Sequence, residues 1–329
     1  MSVYPNPPRP AVSVALCTFN GERHLGDQLG SIASQTRPPD ELVACDDASV
    51  DGTVAVLERF ARSAPFPVRL VRNPCTLGST ANFDQALGRC TGGVAVLCDQ
   101  DDVWHPDKLR RLAEAFADPA VGLAASDAEL IGPAGGPLGG RLWDAVRFPP
   151  RERAQVAAGG GPRRWLRGNT LTGATMAVRT DLLPLIRPIP PGWVHDGWIA
   201  FVAAAVADCR LLGDPLTRYR LHAGQQIGAR RRTLADDWRA ARRRDPAHFA
   251  AVADAFEALA ERLAQHRDRL RDPDLVPLLG RKVLFARTQH QMRMGGRGRR
   301  IGPVARSAWA GDYHLFGRGL RELVADLIT

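Results

Sequence analysis

The chain has 329 residues, a formal net charge of +9, 45% hydrophobic and 24% charged residues. That length buries a sizeable core, and those fractions exclude a disordered or fibrous chain. No stretch approaches the ~18 consecutive apolar residues of a membrane-spanning helix. Residues 1–10 lack the basic-then-apolar order of a secretory signal, so the expected location is the cytosol.

The charge is unevenly placed. Up to Ala229 there are 23 basic and 23 acidic residues, and from Arg230 onward 21 and 12, so the second stretch carries the whole excess. Two regions are expected: 1–228, and a basic helical region 229–329. The six cysteines form no CxxC pair, and several lie in apolar strand-like runs, so they read as buried thiols.

In chain order, Ala11–Cys17 predicts a first strand and Arg23–Ala33 a helix with Leu25, Leu29, Ile32 and Ala33 on one face. Glu41–Cys45 predicts a second strand, and Asp51-Gly52-Thr53 opens a helix over Val54–Arg62, with Asp51 as its cap. Val68–Val71 and Ser79–Arg89 continue the alternation, followed by the run Val94–Leu97 and a helix over Pro106–Phe116. Val121–Ser126 makes a fifth strand. Repeated strand–helix units specify a doubly wound parallel sheet, an α/β fold. From Gly132 to Arg164 the chain is rich in Gly, Pro and Arg and reads as a long loop or a lid. Order returns with a strand over Thr175–Val178 and a helix over His195–Ala207. Arg218–His222 closes this part, and two or three helices follow Arg230, one amphipathic over Phe249–Leu263.

The most informative stretch is Cys98-Asp99-Gln100-Asp101-Asp102-Val103-Trp104, three carboxylates directly after a strand. Ligands of open α/β sheets sit beyond the carboxyl ends of the strands. Acids packed there repel unless a cation or several donors offset them. A hard divalent ion holding a diphosphate would do so; a surface turn with incidental acids is the alternative. Thr18-Phe19-Asn20-Gly21-Glu22 ends the first strand at a helix N-terminus, a common anion site. Asp46-Asp47 ends the second, where paired carboxylates suit nucleoside donors. No GxGxxG follows the first strand and no GxxxxGK[ST] occurs anywhere, so dinucleotide oxidoreductases and P-loop enzymes fit poorly.

The order LCTFNGERHL, SIASQT, ELVACDDASVDGT, NFDQAL, LCDQDDVWHPDKL resembles family 2 glycosyltransferases of the GT-A fold, and among them a rhamnosyltransferase-like branch. The resemblance runs over Val12–Gly228 and implies a GT-A type, mainly parallel sheet with a C-terminal helical extension. It implies that Thr18, Asn20 and Glu22 meet the donor nucleotide and that Asp46 or Asp47 reads a uracil or thymine edge. Asn82 would line the donor pocket. Asp99 and Asp101 match the outer residues of a DxD signature. Asp101 would ligate Mg²⁺ or Mn²⁺, Asp99 would help hold the ribose and the metal shell, and Asp102 stands as a substitute ligand. Trp193-Val194-His195-Asp196-Gly197-Trp198 resembles the segment carrying the catalytic base. The first acid of the family's pair is His195 here, which leaves Asp196 as the base; its alternative role is to cap a helix beginning near Gly197. Tyr219-Arg220-Leu221-His222 resembles the segment supplying a histidine ligand to the metal, a structural histidine being the alternative. Gly168–Ala174 would form part of the acceptor wall, with Gly173 and Trp198 on the acceptor side.

The implied reaction is an inverting, metal-dependent transfer of a sugar, rhamnose from dTDP-rhamnose as first expectation, with dTDP or UDP as the nucleotide. The acceptor would be a glycan, a lipid-linked or a small molecule of the cell envelope, and no covalent intermediate is needed. Competing readings are a nucleotidyltransferase, a non-catalytic scaffold, or a nucleic-acid-binding protein using Arg230–Arg232, Arg242–Arg244 and Arg297–Arg300. The basic tail lacks stacking aromatics and a reading motif, so no nucleic-acid partner is expected. Contact with anionic lipid at the inner membrane face or a merely solvated surface are its two other uses.

Overall fold

The structure, a computed structural model, describes residues 10–222, 245–295, 300–317 and 319–328. Its strands are β1 Val12–Thr18, β2 Glu41–Asp46, β3 Val68–Arg72, β4 Val94–Cys98, β5 Val103–Trp104, β6 Val121–Ile131, β7 Pro137–Arg141, β8 Met176–Arg179 and β9 Asp208–Arg220. They form one sheet in the order β3-β2-β1-β4-β8-β6-β9-β5, with β7 paired to β6. Between them run α1 Glu22–Ala33, α2 Thr53–Ser63, α3 Ser79–Leu87 and α4 Lys108–Ala115. Then come α5 Leu142–Ala145, α6 Pro150–Gln155, α7 Gly161–Trp165, α8 Leu183–Ile186 and α9 His195–Val206.

The strand period of two explains the layering. Val12, Val14 and Leu16 of β1 point to one face, where Leu25, Leu29 and Ile32 of α1 and Leu109 and Leu112 of α4 cover them. Ala15 and Cys17 point to the other face, against Phe83 and Leu87 of α3 and the apolar α9. Both faces of the central strands are covered, so these strands read as continuous apolar runs.

The half β3-β2-β1-β4 is parallel as expected. Beyond it the pattern changes: β8 is antiparallel to both β4 and β6, and β6 is parallel to β9. The four-residue β8 is too short to announce its direction in sequence. The strand β9 spans 13 residues, far more than the expected closing segment. Gly213-Asp214-Pro215 breaks its apolar pattern, and its pairing with β6 shifts register opposite that break.

The expectation of a long loop or lid over 132–164 is corrected. This stretch folds as the β7 hairpin and the helices α5 to α7, and it buries Trp143, Phe148, Val156 and Trp165 in the main core. Four apolar anchors spread through Gly- and Pro-rich sequence suffice to order it, although they show no regular period.

After residue 245 come α10 Pro246–Ala264, α11 Leu275–Met294, α12 Ile301–Trp309, α13 Asp312–Phe316 and α14 Leu320–Ile328. Leu259, Leu263, Leu275 and Leu279 share a core cluster with Trp198 and Phe201 of α9. Trp193 Nε1 donates to the Ala255 carbonyl at 2.7 Å, and Arg262 donates to the carbonyls of Leu185 and Arg187. The expected boundary at 228/229 and the arginine triplets 230–232 and 242–244 lie outside the described residues, as do Arg297 and Arg299. No described helix is long and apolar enough to cross a membrane.

Candidate functional site

Polar side chains gather at the carboxyl ends of β1, β2 and β4, beside the first turn of α9 and the end of β9. The β1 and β2 ends form one bonded unit. Thr18 Oγ1 donates to Asp46 Oδ1 at 2.9 Å, and Asp46 Oδ2 accepts the Ser49 N–H. Asn20 is left-handed (φ 47°), a conformation its short polar side chain tolerates. Its N–H donates to Ser49 Oγ and its Oδ1 accepts from Val50 N. Glu22 Oε2 accepts from Gly52 N. Asp47 is more fully engaged: Oδ1 takes the Leu77 N–H at 2.8 Å and Asn73 Nδ2 at 2.9 Å, and Oδ2 takes the Gly78 N–H. Asn82 is buried, donating to the Cys45 carbonyl and accepting from Asn73. Asp46 and Asp47 are 1% and 3% exposed. The helix α2 starts one residue earlier than expected, with Gly52 at the cap position. Asp51 sits before it, accepting from Thr53 N and Glu22 N.

The β4 end is different. Asp99 is partly buried, and burial together with the charges of Asp101 and Asp196 pushes its pKa up to about 7, against the pull of Lys108. Asp101 Oδ2 lies 2.7 Å from His222 Nε2. The His222 ring packs at 5.4 Å on His24, whose pKa burial lowers, with Arg220 and His222 adding to the effect. Arg220 is 1% exposed and threads beneath: its N–H reaches Asp102 Oδ1 at 2.9 Å, Nε the Asp101 carbonyl at 2.6 Å, and one terminal nitrogen Asp27 Oδ2 at 3.1 Å.

Asp102 as a substitute ligand is corrected. It is fully buried, one oxygen holds Arg220 N, the other has no partner, and burial raises its pKa. Below it Lys108 is equally buried, donating to the Ala174 carbonyl at 2.6 Å and Thr217 Oγ1 at 2.9 Å, with its ammonium 4.1 Å from the Trp104 ring centroid. Burial brings its pKa down to about 8.

Asp196 occupies the first turn of α9, which begins at His195 and has Val194 at its cap position; the expected capping role is therefore not the one observed. Burial pushes its pKa up to about 6, against hydrogen bonds from the N–H groups of Gly197 and Gly173 and from Asn169. Asn169 Nδ2 stands 3.2 Å from Asp196 Oδ1, and its orientation is set by the Leu171 backbone, to which it both donates and accepts. Gly173 opens a short 3₁₀ turn. A Cβ there would stand 2.7 Å from His195 Nε2, so glycine lets this turn lie close against the start of α9. His195 stacks on Phe83 with centroids 4.0 Å apart; both ring nitrogens lack partners, and burial lowers its pKa to about 3, so the ring is neutral.

The structure thus brings Asp99, Asp101, Asp196 and His222 to one place, with Thr18, Asn20, Glu22, Asp46, Asp47 and Asn82 along the adjoining rim. Trp198 is corrected. It is 0% exposed, donates Nε1 to the Ile186 carbonyl at 2.7 Å, and belongs to the core rather than to an acceptor surface. Sequence reasoning missed Lys108, Arg220 and Asn169. A lysine two residues after Pro106 and an arginine beside His222 look like surface charges, and only the sheet order reveals that they lie beneath the acids. Among the described residues no group of three or more His, Cys, Asp or Glu is arranged to hold a metal ion. Asp101 and His222 converge as a pair.

Comparison with known proteins agrees with this geometry. The chain is 25% identical over 215 residues to an uncharacterized glycosyltransferase, alr2836, of Nostoc sp., and the match covers 64% of this chain and 65% of that one. Among solved structures it resembles the mannosyltransferase PcManGT of Pyrobaculum calidifontis, in complex with GDP-Man and Mn²⁺. There the TM-score is 0.52 and the identity 20%, over 99% of this chain and 88% of that one. It also resembles TarS residues 1–349 of S. aureus in complex with UDP-GlcNAc, with a TM-score of 0.53 and 16% identity over 96% and 90%. These likenesses establish the GT-A fold. Residues 13–150, which carry the β1, β2 and β4 strand ends, match the family model for glycosyl transferase family 2.

Proposed function

We propose that the chain is an inverting glycosyltransferase that moves a sugar from a nucleoside diphosphate donor to an acceptor hydroxyl. The observation that carries the reading is the meeting of Asp99, Asp101 and Asp196 at the β4 and α9 ends, with His222 at 2.7 Å from Asp101. Asp99 and Asp196, both with raised pKa values, mark a site suited to a cation or a proton transfer.

The pair Asp101 and His222 fits a divalent ion. Mg²⁺ in phosphate-transfer sites takes one or two carboxylates and completes its shell with phosphate oxygens and water, so two protein donors are enough. Mg²⁺ or Mn²⁺ bound there would offset the negative charge that develops on the diphosphate. The protein's own part is proton chemistry and positioning. Asp196, with a pKa of about 6, is ionised at neutral pH yet basic enough to take a proton from an acceptor hydroxyl. Asn169 and the Gly173 N–H aim its carboxylate. Asp99 would hold the ribose, and Thr18, Asn20 and Glu22 would meet the nucleotide, with the donor-bonded Asp46, Asp47 and Asn82 as the framework that holds this rim.

Under this proposal residues 1–228 are the transferase domain, residues 229–329 a basic helical region, and the enzyme works in the cytoplasm. The donor would be a dTDP- or UDP-sugar, with rhamnose as first choice, and the acceptor a glycan or lipid-linked molecule reached through contact with anionic membrane. The acceptor wall would be the segment Gly168–Ala174 without Trp198.

Calorimetric titration with UDP, dTDP and GDP, with and without Mn²⁺, tests the reading. Manganese-dependent binding of one nucleotide is expected, and it should vanish in Asp101→Ala. Binding that is indifferent to Mn²⁺ and to Asp101→Ala refutes the metal role.

A further inference from the structure

The C-terminal helices leave a face that the transferase reading does not use. In α12, Ile301, Ala305 and Trp309 recur at four-residue spacing and share one side of the helix. Ile301 is 68% and Trp309 95% exposed. In α14, Leu320, Val324 and Ile328 repeat the pattern, with Leu320 69% exposed and Leu327 and Ile328 also outward. The two helices pack on each other and on α13. Scattered exposed apolar residues are ordinary, but two aligned stripes on touching helices, one ending in an almost fully exposed tryptophan, are not.

Charge is sorted across the same helices. Every described acid of residues 300–328 is turned inward and bonded: Asp312 to Arg281, Glu322 to Gln289, and Asp326 to Arg293, Gln289 and the Tyr313 hydroxyl. Among the described residues there, the charged side chains left outward are Arg306 and Arg321. An apolar stripe with tryptophan, flanked only by basic groups, is the composition of a helix lying in a lipid–water interface.

We propose that the outward face of α12 and α14 docks on an anionic lipid surface, Trp309, Ile301 and Leu320 entering the headgroup region while Arg306 and Arg321 meet lipid phosphates. A second copy of the chain fits less well, because a self-complementary contact would set arginine against arginine. The inference gives a defined face to the membrane contact proposed above. It is tested without nucleotide or acceptor, so its failure leaves the transferase reading untouched.

The test is co-sedimentation of the full chain with phosphatidylglycerol or phosphatidylcholine vesicles at low and high salt. Binding to the anionic vesicles alone is expected, weakened by salt. Trp309→Ser should reduce partitioning by about tenfold or more, and Arg306→Gln with Arg321→Gln should remove most of its salt sensitivity. These side chains are exposed, so the variants should melt like the parent. Failure to bind anionic vesicles at low salt overturns the proposal, as does partitioning unchanged by Trp309→Ser, which would assign binding to another part of the basic region. A self-associated state dissolved by Trp309→Ser, seen by light scattering without vesicle binding, would assign the face to a second copy instead.

Discussion

Two strand ends on either side of β1 carry acids of the same type and opposite circumstances. At the end of β2, Asp46 and Asp47 are nearly fully buried, yet each oxygen has a donor within about hydrogen-bond distance, from Thr18, Ser49, Asn73, Leu77 and Gly78. At the end of β4 and the start of α9, burial holds Asp99 and Asp196 above the ordinary carboxylate range, and the charge of Asp196 adds to the shift of Asp99. Donors that saturate a carboxylate make it part of the framework. Acids set against each other with few donors are poised for an ion, a proton or a ligand. Asp196 also has three donors, from Gly197, Gly173 and Asn169, so the hydrogen-bond inventory separates Asp46 and Asp47 from Asp99 but not from Asp196.

The comparison breaks most visibly at Asp196. Asp196→Asn keeps the shape and the contact to Asn169 but cannot accept a proton. Turnover should fall about 10²- to 10⁴-fold while donor affinity, read by calorimetry, stays within about a factor of two. Equal losses in both would mean that Asp196 positions the donor rather than acting on the acceptor. The acid side of the kcat/KM profile should bend near the pKa of about 6 that burial gives this group, and the bend should be gone in the variant.

Asp47 should behave in the opposite way. Asp47→Ala removes the acceptor of the part-buried Leu77 and Gly78 N–H groups and of the buried Asn73 amide. The expected cost is about 1–3 kcal/mol of stability, read by urea unfolding with an unchanged slope. Loss of donor binding with no loss of stability would make Asp47 a ligand-facing group and erase the distinction drawn here.

Much of this was legible in the sequence, and the boundary of legibility has physical causes. The parallel half of the sheet and the three acids after β4 followed from strand periodicity; the choice of Asp196 and the pairing of Asp101 with His222 across 121 positions came only with the family resemblance. The state of each acid did not follow, because satisfaction depends on donors distant in sequence, such as the Leu77 N–H on Asp47. Asp102 and Trp198 sit inside motifs yet point into the core, since neighbouring residues of a strand end or helix turn face different ways. The 132–164 stretch and β9 were obscured by Gly and Pro, which mask a fold that rests on a few aromatic anchors and a long paired strand.

The pH dependence of stability bears on the same comparison. Asp196 has a folded-state pKa of about 6 against an ordinary value of 3.8. The folded protein therefore holds this proton more tightly than the unfolded chain. The stabilisation is fully present below the unfolded value and is lost as pH rises through about 6. At neutral pH the ionised carboxylate is a burden on the fold. Asp196→Asn should remove that burden. Its unfolding free energy relative to the parent should rise between pH 4 and pH 7, a window set by those two values, while Asp47→Ala stays below the parent across the same range. A parallel pH course for parent and Asp196→Asn would mean that the donors from Gly197, Gly173 and Asn169 fully offset the burial. The β4–α9 acids would then be framework after all, like their neighbours at β2.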